Sequence, residues 1–312
     1  MMNIYLSKED GKLEEIQELQ NGCWIKLVAP TEEEIRYIAN HLDIPIDSIK
    51  DALDDEERSR IEKEDNHVLI IVDIPIITYD EVDGAIYETI PIGIIITNTC
   101  FITVCLQENQ IFEEFTKNKI KNFYTFMKTR FALQMLYIIS TYYLRYLKQI
   151  NRKTSQIEKA LHKSMKNKEL FSLLSMEKSL VYFMTSLKAN NIVMERLLRL
   201  NYLRMYEDDE DLLQDVIIEN KQAIEMAEVY SSILSGMMDA FASVISNNVN
   251  IVMKFLTAIT IVLSLPTMVA SFYGMNVPIP YQDSPYSFII AMLISTLLSS
   301  ITAFIFWKKR YF

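Results

Sequence analysis

Glycine is scarce: there are six in 312 residues, and between Gly93 and Gly274 only Gly236 intervenes. A phosphate-cradling loop needs several glycines close together, so nucleotide binding of that kind is excluded. No paired His-Glu motif occurs, nor any nucleophile with a recognisable base, which leaves a membrane-anchored enzyme or signalling domain without an active site. Three cysteines, Cys23, Cys100 and Cys105, do not suggest a disulfide framework. Cys100 and Cys105 lie five apart on an expected strand, on opposite faces, and read as core residues. The three histidines, His41, His67 and His162, are scattered.

Charge, too, runs out. Beyond residue 250 the only charged residues are Lys254, Asp283, Lys308, Lys309 and Arg310. The first 250 residues therefore hold 27 of the 31 basic and 40 of the 41 acidic residues, a net −13 against +3 for the remainder. So acidic a part lacks the positive field that phosphate backbones require, which excludes nucleic acid and leaves cations as partners. The opening MMNIYLSKEDGKLEEIQ has no basic region followed by an apolar core. No cleavable secretory signal is expected, and the acidic part is expected to stay in the cytoplasm.

What remains is apolar. Phe255 to Gln282 and Ser284 to Trp307 carry no charge. About 20 helical residues cross a hydrocarbon core roughly 30 Å thick, so each segment is long enough to span a bilayer. The expected spans are about 251–273 and 287–307, joined by a short external loop, 274–286. Lys308, Lys309 and Arg310 after the second span belong on the cytoplasmic side, which places both termini there.

The first span carries a polar stripe. From Asn250 the positions Met253, Thr257, Thr260, Ser264, Thr267 and Ser271 follow at intervals of 3, 4, 3, 4, 3 and 4, on one helix face. Six of these seven side chains are polar, and the opposite positions are mostly Ile, Val, Leu, Phe and Ala. Hydroxyls also join membrane helices or bond back to their own backbone, but an unbroken stripe ending near a second asparagine reads as a water-lined pore. One such stripe cannot enclose a pore, so several copies must surround the axis.

No proline occurs between Pro91 and Pro266, so long helices are expected from about residue 126. The last starts near the acidic run Glu207 to Leu213, where carboxylates favour a helix N-terminus, and meets no stop before Pro266. Some 60 residues of helix would reach on the order of 90 Å, from the cytoplasm into the membrane as the pore lining. Pro266 should kink it unless neighbours compensate. In the first 125 residues, HVLIIVDIPIITY, IYETIPIGIIIT and TCFITVCLQ are β-branched runs fitting a small sheet. TEEEIRYIANHLDI and IDSIKDALDDEER read as helices, the first with Thr31 as N-cap and Glu34 completing a capping box. The expected class is an α+β/α membrane protein. Its parts are an α/β domain over 1–125, a long-helix stalk over 126–250 and two transmembrane helices within 251–312.

Between the spans stands Tyr273-Gly274-Met275-Asn276, preceded by VNIVMKFLTAITIVLSLPTMVASF. The sequence resembles the CorA family of magnesium transporters, with Asn250, Met253, Lys254, Leu256, Thr257 and Pro266 at the family's positions. The resemblance implies a homopentamer in membrane lipid, its first spans lining a pore and its Gly-Met-Asn loops ringing the outer entrance. It implies that oxygens of Asn276 and Gly274, and of Asn250 at the inner end, bind hydrated Mg2+, while Met253 and Leu256 form an apolar constriction. It further implies regulatory Mg2+ held by carboxylates, for which Asp215, Asp239 and, more weakly, Asp80 are the candidates. Two departures stand out. The outer loop has one carboxylate, Asp283, where many members have more, and Ser264 stands where a bulkier apolar residue can occur. The expected cargo is Mg2+, with Co2+ and Ni2+ as further candidates. The rival is a zinc transporter of the same architecture, but zinc prefers imidazole and thiolate, and no His or Cys lies in the spans.

Overall fold

Among the described residues seven strands form a single sheet: β1 (Met2–Ser7), β2 (Leu13–Ile16), β3 (Trp24–Val28), β4 (Arg60–Lys63), β5 (His67–Asp80), β6 (Gly84–Thr97) and β7 (Phe101–Cys105). The computed structural model describes residues 1–8, 11–80, 84–163, 167–277, 280 and 284–311. The strand order is β2-β1-β3-β7-β6-β5-β4. Every pairing is antiparallel except β3 with β7, where Trp24 stands beside Phe101 and Val28 beside Cys105. That parallel seam joins two antiparallel ladders.

The helices are α1 (Glu32–Leu42), α2 (Ile46–Lys50), α3 (Gln110–Thr116), α4 (Lys128–Lys163), α5 (Asn167–Leu200), α6 (Glu207–Tyr273) and α7 (Ser287–Lys308). Two compact units result, Met1–Ser235 and Gly236–Phe312. In the first, α1, α2 and the 3-10 turn Asp51–Leu53 cover one sheet face. Ile35, Ile38, Ile49 and Ala52 there pack with Ile25, Leu27, Ile71, Ile95 and Val104. Gly93 on β6 admits the turn, because a Cβ there would stand 2.5 Å from the Ala52 Cβ. The capping box of α1 is present, Thr31 Oγ1 accepting from the Glu34 N–H while the Glu34 carboxylate accepts from the Thr31 N–H.

The other face carries aromatics. The fully buried Trp24 ring has Phe112, Phe115, Phe123 and Phe131 within 6.5 Å, centroid to centroid. Each such pair adds about 0.5–1.5 kcal/mol beyond area burial, so this cluster is what holds α3 and α4 to the sheet. The start of α6 is tied to α4: the buried Asp209 carboxylate accepts from Arg130 Nε at 2.9 Å and from the Tyr206 N–H at 3.1 Å.

Two strand prolines have places that explain them. Pairing of β4 with β5 stops at Arg60 and Ile71, so β5 is an edge beyond that point. There the Asn190 amide from α5 substitutes for a strand, accepting the Asp73 N–H at 2.9 Å and donating to the Asp73 carbonyl at 2.8 Å. Since these Asp73 groups point to the edge, those of Pro75, two residues on, do as well, and its missing N–H costs no ladder bond. Pro91 lies opposite Asp73 and just outside the β6·β7 ladder, which ends at Ile92. Its nitrogen faces away from β5 and likewise breaks no bond.

Candidate functional site

The second unit contains α7 and the portion of α6 from Gly236 onward. Both helices contain stretches long and apolar enough to cross a membrane. They meet on one side of α6, where Ala258 and Val269 are buried and Val262, Leu265 and Pro266 are half-buried. The positions Asn250, Met253, Thr257, Thr260, Ser264, Thr267 and Ser271 lie roughly opposite, and all seven are exposed in the single chain. Leu256, beside them, is exposed as well.

Three of the five hydroxyls of this stripe have a defined polarity. Thr260 Oγ1 donates to the Leu256 carbonyl at 2.8 Å, Ser264 Oγ to Ile261 at 2.8 Å, and Thr267 Oγ1 to Leu263 at 3.3 Å. With their protons committed to the backbone, these oxygens offer only lone pairs outward. Acceptors turned outward at these three positions suit the hydrogens of a hydrated cation.

Pro266 sits within the helical span of α6. Its missing N–H leaves the Val262 carbonyl, four residues earlier, without a helical partner. Ser299 Oγ of α7 donates to that carbonyl at 3.4 Å, a neighbour's compensation of the kind membrane helices use. The sequence names Pro266 but not this partner, because the pairing depends on how the two spans are apposed.

At the end of α6 the Gly274 N–H still reaches the Ala270 carbonyl at 3.0 Å, and the Met275 N–H reaches Phe272 at 3.2 Å. Tyr273 is half-buried, and Gly274, Met275 and Asn276 are exposed. A Cβ on Gly274 would stand 3.3 Å from the Ala270 oxygen, so a side chain crowds the helix end it closes. Asp283 lies outside the described residues.

The candidate regulatory carboxylates are dispersed. Asp215 and Asp239 are both exposed on α6. Asp80 ends β5 opposite Gly84, and its side chain lies outside the described residues. Among the described residues of one chain, no three His, Cys, Asp or Glu side chains gather to hold a metal.

Comparison with known proteins places this arrangement in context. The sequence profile of the family described as CorA-like Mg2+ transporter protein matches residues 20–310. The cobalt/magnesium transport protein CorA of Methanocaldococcus jannaschii is 26% identical over 328 aligned positions, covering 100% of both chains. The complete structure of the CorA magnesium transporter from that organism superposes with a TM-score of 0.84 at 24% identity, over 98% of this chain and 97% of that one. The cytoplasmic domain of ZntB from Vibrio parahaemolyticus gives a TM-score of 0.60 at 12% identity, over 80% of this chain and 97% of that one.

Proposed function

The chain belongs to the CorA-like Mg2+ transporter family, and from that premise we propose that it is a homopentameric channel passing Mg2+ into the cytoplasm. The observation that carries the reading is the uncharged polar stripe of α6, three of whose hydroxyls turn their lone pairs outward, left uncovered by α7 and running up to the Gly274-Met275-Asn276 turn. Five such faces around an axis make a polar conduit, with α7 toward lipid. The potential supplies the drive, about 2.3 kcal/mol per elementary charge per 100 mV and twice that for a divalent ion.

Mg2+ dehydrates reluctantly and keeps several waters. A ring of neutral oxygens from Asn276 and Gly274 receives those waters' hydrogens without stripping them, and Asn250 repeats the contact at the inner end. Thr257, Thr260, Ser264, Thr267 and Ser271 supply further acceptors along the way. Met253 and Leu256, uncharged and exposed on the same side, form a constriction that closes by dewetting. Lys308, Lys309 and Arg310 keep the C-terminus, and with two spans the N-terminal unit, in the cytoplasm.

Gating by internal Mg2+ falls to Asp215 and Asp239, with Asp80 as the weaker candidate. Since no three His, Cys, Asp or Glu side chains gather among the described residues of one chain, a neighbouring copy completes any site that either of them forms. Loss of the ion leaves like charges facing each other and loosens the assembly. Co2+ and Ni2+ are further cargo candidates. A zinc transporter of the same architecture is the second reading, supported by the likeness to the ZntB domain. It lacks donors of zinc's preference, because no His or Cys follows His162 in the sequence.

Uptake into liposomes holding the purified full chain separates the two. Entry of Mg2+ down its gradient supports the proposal. Exclusion of Mg2+ together with Zn2+ entry under a proton gradient overturns it in favour of the second reading.

A further inference from the structure

Cys23 and Cys100 flank the parallel seam of the sheet. Cys23 precedes Trp24 and Cys100 precedes Phe101, and those two residues stand side by side in the β3·β7 register. The Phe101 N–H donates to the Cys23 carbonyl at 2.9 Å, and the Gly22 N–H to Thr99 at 2.8 Å, so the residues before both strands are held in lateral contact. The two sulfurs lie 3.3 Å apart, with both thiols free. Neighbouring strands run about 4.8 Å apart, inside the Cα separation that a disulfide accepts, roughly 4.4–6.8 Å. Closing the sulfurs to about 2.05 Å therefore asks for side-chain rotation without strand displacement.

We propose that Cys23 and Cys100 are a modification site, a dithiol that a hydroperoxide converts to a disulfide clamping the β3·β7 seam. The direction of attack follows from the surroundings. Cys23 S–H donates to the Cys100 sulfur, and this donation, with help from Thr99 and the nearby Lys128 ammonium, holds the Cys100 thiol below its ordinary range against the effect of burial. The same contact, with burial, pushes the Cys23 thiol up. Cys100, whose sulfur also lies 3.7 Å from the Gln20 carbonyl, is thus the more readily ionised of the two thiols and Cys23 the proton-bearing partner. Lys128 is fixed in place by the Thr97 and Asn98 carbonyls at 2.8 and 2.5 Å. Both cysteines are buried, but Asn98 and Thr99 immediately before Cys100 are exposed, as are Gln20 and Asn21 ahead of the buried Gly22, so peroxide approaches through these turns.

The chemistry balances. The Cys100 thiolate attacks the peroxide, whose O–O bond breaks; one oxygen stays on sulfur as a sulfenic acid and the other leaves as water, or as the alcohol of an organic hydroperoxide, with the thiol's proton. Cys23 sulfur then attacks Cys100 sulfur, the S–O bond breaks, and water leaves with the Cys23 proton. Two thiols have lost two electrons and two protons, and the peroxide has been reduced. A small dithiol reverses the step by exchange. Cys105 is the internal control. It is fully buried, its sulfur lies 3.7 Å from the Pro91 carbonyl, and burial pushes its thiol up to about 11.

The test is intact-mass spectrometry of the full chain in micelles, titrated with hydrogen peroxide and then with dithiothreitol. The expected result is loss of two hydrogen atoms per chain, reversed by the dithiol, with a tryptic cross-link joining Cys23 to Cys100. Cys105→Ser should retain the loss, while Cys23→Ser and Cys100→Ser should abolish it. The cross-link map on the parent needs no variant to fold. Addition of oxygen atoms without a cross-link would overturn the proposal. So would a cross-link through Cys105, or no change under peroxide that fully oxidises free glutathione.

Discussion

Replacing Asn190 by alanine isolates the contribution of one side chain that stands in for a missing strand. Its carbonyl oxygen accepts the Asp73 N–H at 2.9 Å and the Ser59 hydroxyl at 3.0 Å, while its amino group donates to the Asp73 carbonyl at 2.8 Å. Asn190 is fully buried. In the variant the Asp73 carbonyl keeps the Tyr143 hydroxyl, which donates to it at 3.1 Å, and the half-buried Ser59 turns to water. The Asp73 N–H keeps nothing. The orphaned Asp73 donor costs about 1–3 kcal/mol, the bond lost at the Asp73 carbonyl about 1 kcal/mol and the Ser59 bond, replaced by water, little, so the sum is about 2–4 kcal/mol. For a domain of this size that is a fall in Tm of about 4–16 °C. Trp24, fully buried among phenylalanines, reports the transition by fluorescence in a Trp307→Phe background. Ser59→Ala should cost under about 1 kcal/mol, since it removes one half-exposed bond. An Asn190→Ala chain melting within about 1 °C of the parent would refute the strand-substitute reasoning.

Gly93→Ala should destabilise by about 1–3 kcal/mol through overpacking, because its Cβ meets that of Ala52 at 2.5 Å; Ala52→Gly in the same chain should restore most of the loss in thermal unfolding. Burial pushes the Asp73 carboxyl above its ordinary value of 3.8, with Ser186 offsetting part of the effect. The folded chain then holds a proton that the unfolded chain releases, so stability falls as pH rises from about 3.8 through the raised value. Asp73→Asn should therefore gain in Tm relative to the parent at neutral pH, and the gain should vanish in acid below that window.

How much of this was legible in the sequence depends on range. The two apolar segments of the second unit announce themselves by lacking charge, and α4 and α5 by lacking glycine and proline, since both signals are local. The α1 capping box is local as well, and Thr31 and Glu34 adopt it. The sheet was only partly visible. Leu13–Ile16 and Arg60–Lys63 are four-residue edge strands rich in charge, with no β-branched run to mark them. The β3·β7 seam brings together residues 23 and 100, a closure that no window of neighbouring residues reveals. Asn190 and Ser299 belong to the same class: each satisfies a backbone group far away in sequence, at an edge and at a proline, whose need the sequence shows while the partner stays hidden. The stripe on α6 was readable as a pattern, but the commitment of the Thr260, Ser264 and Thr267 hydroxyl protons to the backbone became apparent only from the geometry.

The central claim, that the Gly274-Met275-Asn276 turn selects a hydrated Mg2+ ion ahead of the α6 conduit, rests most directly on Asn276. Mg2+ uptake by liposomes holding the full chain should be compared with uptake by Asn276→Ala, both checked for equal assembly size. The account predicts that the parent admits Mg2+ and that the variant loses most of that entry. Equal uptake by the two would contradict it and place selection elsewhere along the pore.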